Sequence, residues 1–378
     1  MNIKNILSLA MFILVIFLLV NFKVANAQEL VQPMLGGITS INAGTDRIME
    51  TLQPDDEFQE NVKLKEESKS EKLESHIIRD GLEIEVFYPP SEQEKHSTTN
   101  KNQNNTKNKD VTKIITDVSG GVLKTDAGNG GEVKNKIVGA DIAVVREFEN
   151  SNGTLSIGGL VDYEQNSYDS NFQDTEGTGK AKSVSAGVIV RQQNTEGLYY
   201  EGSARIGRVK NDFDVKDYSI DNEELNINGN TSASMYAGHV KAGKIIHLDE
   251  QHDADIYGAY AFSHQDYTNA KLSNGNNYRF KSVNSNRVKV GCRMTTKVDN
   301  GKIYYGLAYQ YETNADAYAE YNGRETLIAS AKGSSGVLEL GYTLVENKNS
   351  ALNIDLNAAG YIGRQKGFII QAQLVKSF

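Results

Sequence analysis

The feature that most constrains this chain is an alternation of period two at its C-terminal end. Gly367-Phe-Ile-Ile-Gln-Ala-Gln-Leu-Val-Lys-Ser-Phe378 places Phe378, Lys376, Leu374, Ala372, Ile370 and Phe368 on one parity. Ser377, Val375, Gln373, Gln371 and Ile369 fall on the other. A strand sends successive side chains to opposite faces, so one face is largely apolar and the other mixed and polar. Segments of the same kind recur back to about Lys113, separated by Gly/Asn/Asp-rich turns.

Roughly twelve strands are expected, at 113–124, 136–148, 154–168, 179–193, 197–213, 231–247, 252–268, 278–298, 301–315, 329–345, 350–363 and 367–378. The connections alternate in length. Asn194–Gly197, Asp249–His252, Asp299–Gly301 and Glu346–Asn349 are short, whereas 169–178, 214–230, 269–277 and 316–328 read as long loops. An even number of antiparallel strands with short turns at one end and longer loops at the other is the pattern of a bacterial outer-membrane barrel.

Parity within the strands carries the membrane argument. In 198–206, Leu198, Tyr200, Ala204 and Ile206 oppose Tyr199, Glu201, Ser203 and Arg205. In 287–294, Val288, Val290, Cys292 and Met294 oppose Arg287, Lys289, Gly291 and Arg293, and in 350–358 Leu352, Ile354, Leu356 and Ala358 oppose Asn353, Asp355 and Asn357. A Lys or Arg facing lipid near the midplane costs about 2–4 kcal/mol, so the charged parity must face the lumen. The expected lumen charges are Glu201, Arg205, Arg287, Lys289, Arg293, Glu339 and Asp355, with Lys241, Asp255 and Glu312 on the same reading. Walls of both signs suit a threaded polar segment or water more than a large selective pore. Tyrosines near strand ends are expected as interfacial girdles. A soluble double-sheet sandwich is the plain alternative, but twelve long strands exposing Tyr and Leu would aggregate in water.

Composition agrees with strands and turns. The chain has 34 Gly and 19 Tyr against four prolines, Pro33, Pro54, Pro89 and Pro90, so from Ser91 onward no ladder loses an N–H to proline. A mean hydropathy of −0.48 excludes spanning helices outside the N-terminus but allows a barrel, whose lumen face is polar. A net charge of −9 argues against a nucleic-acid partner. The single Cys292 excludes an internal disulfide or a multi-cysteine zinc site.

Residues 1–27 read as a secretory signal peptide: Lys4, an apolar run from Ile6 to Phe22, and Ala25-Asn26-Ala27 before Gln28, which puts cleavage between Ala27 and Gln28. An uncleaved anchor helix is the alternative. Residues 28–112 form a short polar region. Within it, 34–52 has apolar residues near helical spacing (Leu35, Ile38, Ile41, Ile48, Leu52), slimmed by Gly36, Gly37, Ser40, Ala43 and Gly44. Such a helix fits a narrow pore, and an ordinary amphipathic helix fits the spacing equally. A charged stretch spans 55–74, a short alternating strand 82–88, and a low-complexity linker 91–110.

The order and spacing of several pieces make the chain resemble the β-domain of autotransporters (type V secretion). They are Ser119-Gly-Gly121, Gly139-Ala-Asp141, Gly197-Leu-Tyr-Tyr-Glu-Gly-Ser-Ala-Arg-Ile-Gly-Arg208, Tyr236-Ala-Gly-His-Val-Lys-Ala-Gly-Lys244, Asp255-Ile-Tyr-Gly-Ala-Tyr260, Ser285-Asn-Arg-Val-Lys-Val-Gly-Cys-Arg293, Gly333-Ser-Ser-Gly-Val-Leu-Glu-Leu-Gly341 and the closing Phe378. The resemblance covers about 113–378 and implies an all-β, twelve-stranded antiparallel transmembrane barrel with a helix in its pore, in the bacterial outer membrane with loops at the cell surface. It also implies outer-membrane lipid, the Sec translocon and the barrel-assembly machinery as partners, with Phe378 as the C-terminal assembly signal. Three departures stand out. Lys376 occupies a position where relatives usually have an aromatic or aliphatic residue, no large passenger is present, and the insert 55–110 leaves 57–80 as a second candidate for the plug.

No catalytic, cofactor or metal residues are assigned. His247 and His252 flank a turn and His264 lies near Asp266, without a convergent third ligand. The expected function is therefore a monomeric barrel that anchors, and translocates or displays, its N-terminal segment. A small-solute pore and a loop-mediated adhesin are the alternatives.

Overall fold

The computed structural model describes residues 31–52, 78–79, 82–83 and 110–378, apart from 129, 151, 173–174, 218–224, 274, 300, 322–323, 327 and 347–351. The expected signal peptide with its Ala27–Gln28 boundary, the charged stretch 55–74 and the linker 91–109 lie outside the described residues.

Twelve antiparallel strands close into a barrel: β1 Val111–Gly128, β2 Gly131–Asn150, β3 Gly153–Phe172, β4 Thr175–Asn194, β5 Leu198–Asp217 and β6 Leu225–His247, then β7 His252–Gln265, β8 Val283–Val298, β9 Gly301–Asn314, β10 Gly333–Glu346, β11 Leu352–Gly363 and β12 Gln365–Ser377. The last strand pairs with the first, from Gln365↔Thr125 to Ser377↔Lys113, and the Phe378 N–H donates to the Thr112 carbonyl at 2.9 Å. Closure removes the free edge that an open sheet would present.

The two parities separate as the sequence requires. Val138, Val188 and Ile206 are about 60% exposed on the outer wall, whereas Asp141, Ser185 and Glu201 point inward at 2–4%. On β12, Phe368, Ile370 and Leu374 face out, and Gln371 and Gln373 face the lumen.

The short turns are built locally. Asn194 Oδ1 accepts from the N–H groups of Glu196 (3.1 Å) and Leu198 (2.8 Å), and Gly197 takes φ +80°, a left-handed conformation that glycine adopts without strain. Asp249 does the same work in the next turn, accepting from Gln251 and His252 at 2.9 Å. These turns share one end of the barrel with the start of β1 and the end of β12.

At the far end the structure corrects the expected loops. Residues 169–172, 175–178, 214–217 and 225–230 are strand, because β3 to β6 continue well past the apolar band. The segment 278–298 is split: Asn277–Phe280 pairs with Thr268–Lys271 and with Ala319–Tyr321, and only Val283–Val298 joins the barrel. Likewise Ala329–Ser330 pairs with Asp316–Ala317 ahead of β10. These strands are only two to four residues long, too short for alternation to mark them in the sequence. They form a cap over the far mouth.

Among the described residues one helix, α1, spans Gln32–Ile48 and continues as a turn to Leu52. It lies inside the barrel, so among the described residues the pore is filled by the expected 34–52 stretch, beginning two residues earlier. Pro33 sits in its first turn, where a missing N–H costs nothing. Val31, Met34, Leu35 and Ile38 are buried with Tyr168, Phe213, Met235 and Phe280 under the cap, whereas Ile48 and Leu52 pack on Ile115, Val145 and Ile189 toward the short-turn end. The N-terminus of α1 therefore points to the capped mouth and its C-terminus to the mouth where β1 begins.

Candidate functional site: the occupied lumen

The slimness of α1 is used. A Cβ at Gly44 would sit 2.6 Å from Arg205 Nη1, and one at Gly36 would run into the Tyr168 ring. Glycine at these two positions lets wall side chains reach the helix backbone.

Arg47 reaches from the helix into the wall. Its Nε donates to Asp141 Oδ1 at 2.5 Å and its Nη1 to Glu164 Oε2 at 2.5 Å and Ser119 Oγ at 3.1 Å. The guanidinium is 1% exposed and both carboxylates 0%. A charge buried this deeply persists only when paired and hydrogen-bonded. Next to it Arg205 bonds Asp162 at 2.6 Å, the Ile41 carbonyl at 2.5 Å and Thr45 Oγ1 at 2.7 Å.

Across the pore, Arg287 grips both oxygens of Asp46 at 2.7 and 2.6 Å and reaches the Asn42 carbonyl at 3.3 Å. Arg293 bridges Glu50 on the helix and Glu339 on the wall, each at 3.0 Å. Glu339 also accepts from Lys289 at 2.6 Å and from Tyr257 at 2.8 Å.

The C-terminal end of α1 leaves carbonyls without helical partners. Lys241 donates to Met49 O at 3.4 Å, Gln373 to Thr51 O at 3.2 Å and Arg191 to Leu52 O at 2.7 Å. Two of these donors are cations at the negative end of the helix dipole.

Of the seven wall charges expected in the lumen, Arg205, Arg287 and Arg293 touch α1 directly, and Lys289 and Glu339 meet it through Arg293. Glu201 holds Arg191 at 3.0 Å and His239 at 2.8 Å. Asp355 stays within the wall, opposite Thr343, and accepts a hydrogen bond from it. The sequence reading missed Arg47, Asp162, Glu164 and Arg191. Asp162 and Glu164 share a parity on β3, where Asp162 lies opposite Asp141 and Ser185, and Arg191 shares parity with Ser185 on β4, so extending the alternation to β3 and β4 would have found them. Arg47 had no such signal.

The expected tyrosine girdle is divided. Tyr163, Tyr200, Tyr260 and Tyr305 face outward, whereas Tyr168, Tyr199, Tyr257 and Tyr304 are buried in the lumen. Each buried ring lies over a glycine of the neighbouring strand: Gly179, Gly243, Gly291 and Gly341. His239 is also in the lumen wall, bridging Ser203 Oγ and Glu201 at 2.8 Å each. A Ser–His–Glu chain invites a nucleophile reading, but its imidazole and carboxylate are both 0% exposed and tie β5 to β6. His247, His252 and His264 each bond a nearby Asp. Among the described residues no three His, Cys, Asp or Glu side chains converge as a metal site requires.

Beside α1 lies a cleft of about 60 Å³ lined by Asp46, Glu50, Arg293, Tyr304, Glu339 and Ile369. It has room for a few waters. The arrangement holds a helix and blocks a pore.

The sequence profile of the autotransporter β-domain matches residues 116–357. Comparison with curated protein sequences found no match. Among solved structures, the β-domain of the Bordetella autotransporter BrkA is similar with a TM-score of 0.55 and 14% identity, over 70% of this chain and 98% of that one. The translocator domain of the autotransporter NalP from Neisseria meningitidis gives 0.49 at 14% identity, covering 71% and 88%. The transport unit of AIDA-I from Escherichia coli gives 0.47 at 14%, covering 72% and 91%. At such identities the likeness is one of fold, and the profile match carries the family. The closed twelve-stranded barrel, its apolar outer wall and its helix-filled lumen thus belong to a member of the autotransporter β-domain family, an outer-membrane translocator barrel.

Proposed function

We propose that this barrel anchors the chain in the outer membrane and exports what lies N-terminal to α1, with α1 remaining behind as the plug and no catalysis by the barrel itself. The observation that carries this reading is the direction of α1, whose N-terminus is buried beneath the surface cap and whose C-terminus is held at the mouth with short turns, the periplasmic side. The lumen charges Arg205, Arg287 and Arg293 act as its clasp, with Lys289, Glu201 and Glu339 keeping them in place and Asp355 bracing the wall. Sec export through residues 1–27 and insertion by the assembly machinery through Phe378 complete the pathway.

The same direction divides the polar N-terminal region. Leu52 and Asp110 both stand at the periplasmic mouth, where Leu52 O meets Arg191 and Asp110 meets Arg146 at 2.8 Å. The segment 53–109 then leaves and returns on the periplasmic side, and only residues before Val31 are led toward the surface. Two epitope tags test this, one just after Gln28 and one within 91–109. Protease added to intact cells is expected to remove the first and spare the second until the outer membrane is opened. Protection of the first tag would sink the export reading, and loss of the second would place 53–109 outside.

A further inference from the structure

The outer wall carries a cationic patch that the lumen function does not use. On β4 and β5, Lys182 lies directly opposite Lys210, and Arg208 lies one step along the same face, opposite Val184. All three side chains are exposed and point away from the barrel. The residues directly opposite them on the flanking strands are Gln165, Ser232 and Ser234, none of them acidic, and the nearest acid on this face, Asp212, lies opposite Lys180. Among the described residues none of the three has an ion-pair partner. Like charges placed opposite one another weaken a ladder, so three cations here are a cost to the isolated barrel.

Their height gives them a use. Val184 and Ile206, 54% and 59% exposed, are the last apolar residues of the outer face on these strands. Lys182 and Arg208 follow two residues on, about 7 Å further along the strand at roughly 3.3 Å per residue. That is the depth of lipid headgroups on the cell-surface side. Outward lysines also stand at this boundary on β1 and β2, but Lys124 is paired with Glu132 and Lys136 with Asp169, and on β7–β9 the boundary carries only His264, Asn284 and Thr313. At the periplasmic boundary the outward cations Arg146, Lys244 and Lys376 are on three separate strands, and Arg146 is taken by Asp110 at 2.8 Å.

We propose that Lys182, Arg208 and Lys210 bind the phosphate groups of an acylated phosphoglycolipid of the outer leaflet, whose chains lie on the apolar wall beneath, at Tyr163, Val184 and Ile206. Two features select a lipid over a soluble anion: the charge complementarity of three unpaired cations, and their continuity with the lipid-facing band. Arg208 offers a planar fork for a phosphate, with the lysines as point charges on either side. The proposal is independent of which way the N-terminal region is routed.

The test uses the full-length barrel in detergent micelles, with native mass spectrometry reading bound diphosphorylated lipid A. Each cation near an anionic lipid surface contributes about 1 kcal/mol, so Lys182→Gln/Arg208→Gln/Lys210→Gln is expected to bind roughly a hundredfold more weakly. Lys244→Gln, at the other boundary, is expected to match the parent. Should the triple variant fail to fold, Arg208→Gln alone is expected to lose roughly fivefold. Equal binding by a folded triple variant, or by Arg208→Gln where that replaces it, would overturn the proposal. Undiminished binding of the dephosphorylated lipid, or displacement by equimolar inorganic phosphate, would overturn it too.

Discussion

Strands β1–β6 are 18 to 23 residues long and β7–β12 only 12 to 16, so one half of the wall stands well above the other. Crossing a bilayer takes about 9–11 tilted residues in either half. The tall half uses its surplus as a continuous wall beyond the membrane. The short half places its surplus in the connections 266–282 and 315–332, whose strands fold over the mouth toward that wall. Phe280 of the cap meets Phe213 of β5 edge to face at 6.0 Å, which closes the gap between the halves. The grip on α1 is equally lopsided. Toward β2 and β3 the Arg47 cluster is sealed at 0–1% exposure, whereas toward β8 the Asp46 carboxylate keeps 29%. The lesson is that one half seals its grip on the plug, while the other grips it more openly and supplies its lid.

The largest expected effect breaks the tight side. Arg47→Met would leave Asp141 and Glu164 buried without their cation, and removing one partner of a buried pair costs about 3–5 kcal/mol. The variant is expected to show steady conductance in planar bilayers and to unfold at lower temperature in a heat-modifiability assay. A silent, equally stable variant would mean that the tall half is not where α1 is held.

Next comes the seam between cap and wall. Phe280→Ala removes a side chain that is fully buried, at a cost of about 3–5 kcal/mol confined to the cap. External protease is expected to nick 266–282 in intact cells while the barrel itself stays heat-modifiable. If the whole barrel loosened instead, cap and wall would be one cooperative unit.

Asp46→Asn sharpens the contrast from the other side. A partly exposed pair contributes about 1 kcal/mol, so the variant is expected to open only a small fraction of channels compared with Arg47→Met. Equal conductance from both would erase the difference between the halves.

The smallest effect concerns the lid alone. The hydrogen bond from Lys281, 2.7 Å long, holds the Glu320 carboxyl below its ordinary value. A carboxylate depressed in the folded state stabilises fully above the unfolded value of about 4.3, and that contribution fades as pH falls through the lower folded one. Protease nicking of the cap is therefore expected to rise slightly below pH 4 and to stay flat above pH 5. Lys281→Gln should remove the trend.

Much of this was legible because lipid punishes error on one face only. Val288, Val290 and Leu356 had to face out, so Arg287, Lys289 and Asp355 had to face in, and twelve strands followed from that alternation. Above the membrane the constraint vanishes. Asn226, Asn228 and Asn230 read as loop, although they alternate with Leu225, Ile227 and Gly229 and continue β6. The two- and three-residue cap strands carry no period at all. Tyr199 and Tyr200 are adjacent and chemically alike; parity with Glu201 and Arg205 sends the first to the lumen, but the glycine at 243 that makes room for its ring is distant in sequence. Arg47 was the hardest to see, since Thr45-Asp46-Arg47 is as polar as any solvated helix face and its two carboxylates lie 94 and 117 residues away.

The pairing of β12 with β1 sets the order of assembly. Each of the other eleven ladders joins strands adjacent in sequence and forms with modest loop-closure entropy, whereas this one joins Lys113 to Ser377. Low-contact-order hairpins accumulate quickly and long-range pairing is slow. The growing sheet therefore carries two unsatisfied borders until its final strand arrives, and those borders are where a catalyst of insertion has something to hold. Enclosure of α1 and closure of that seam are then a single late event.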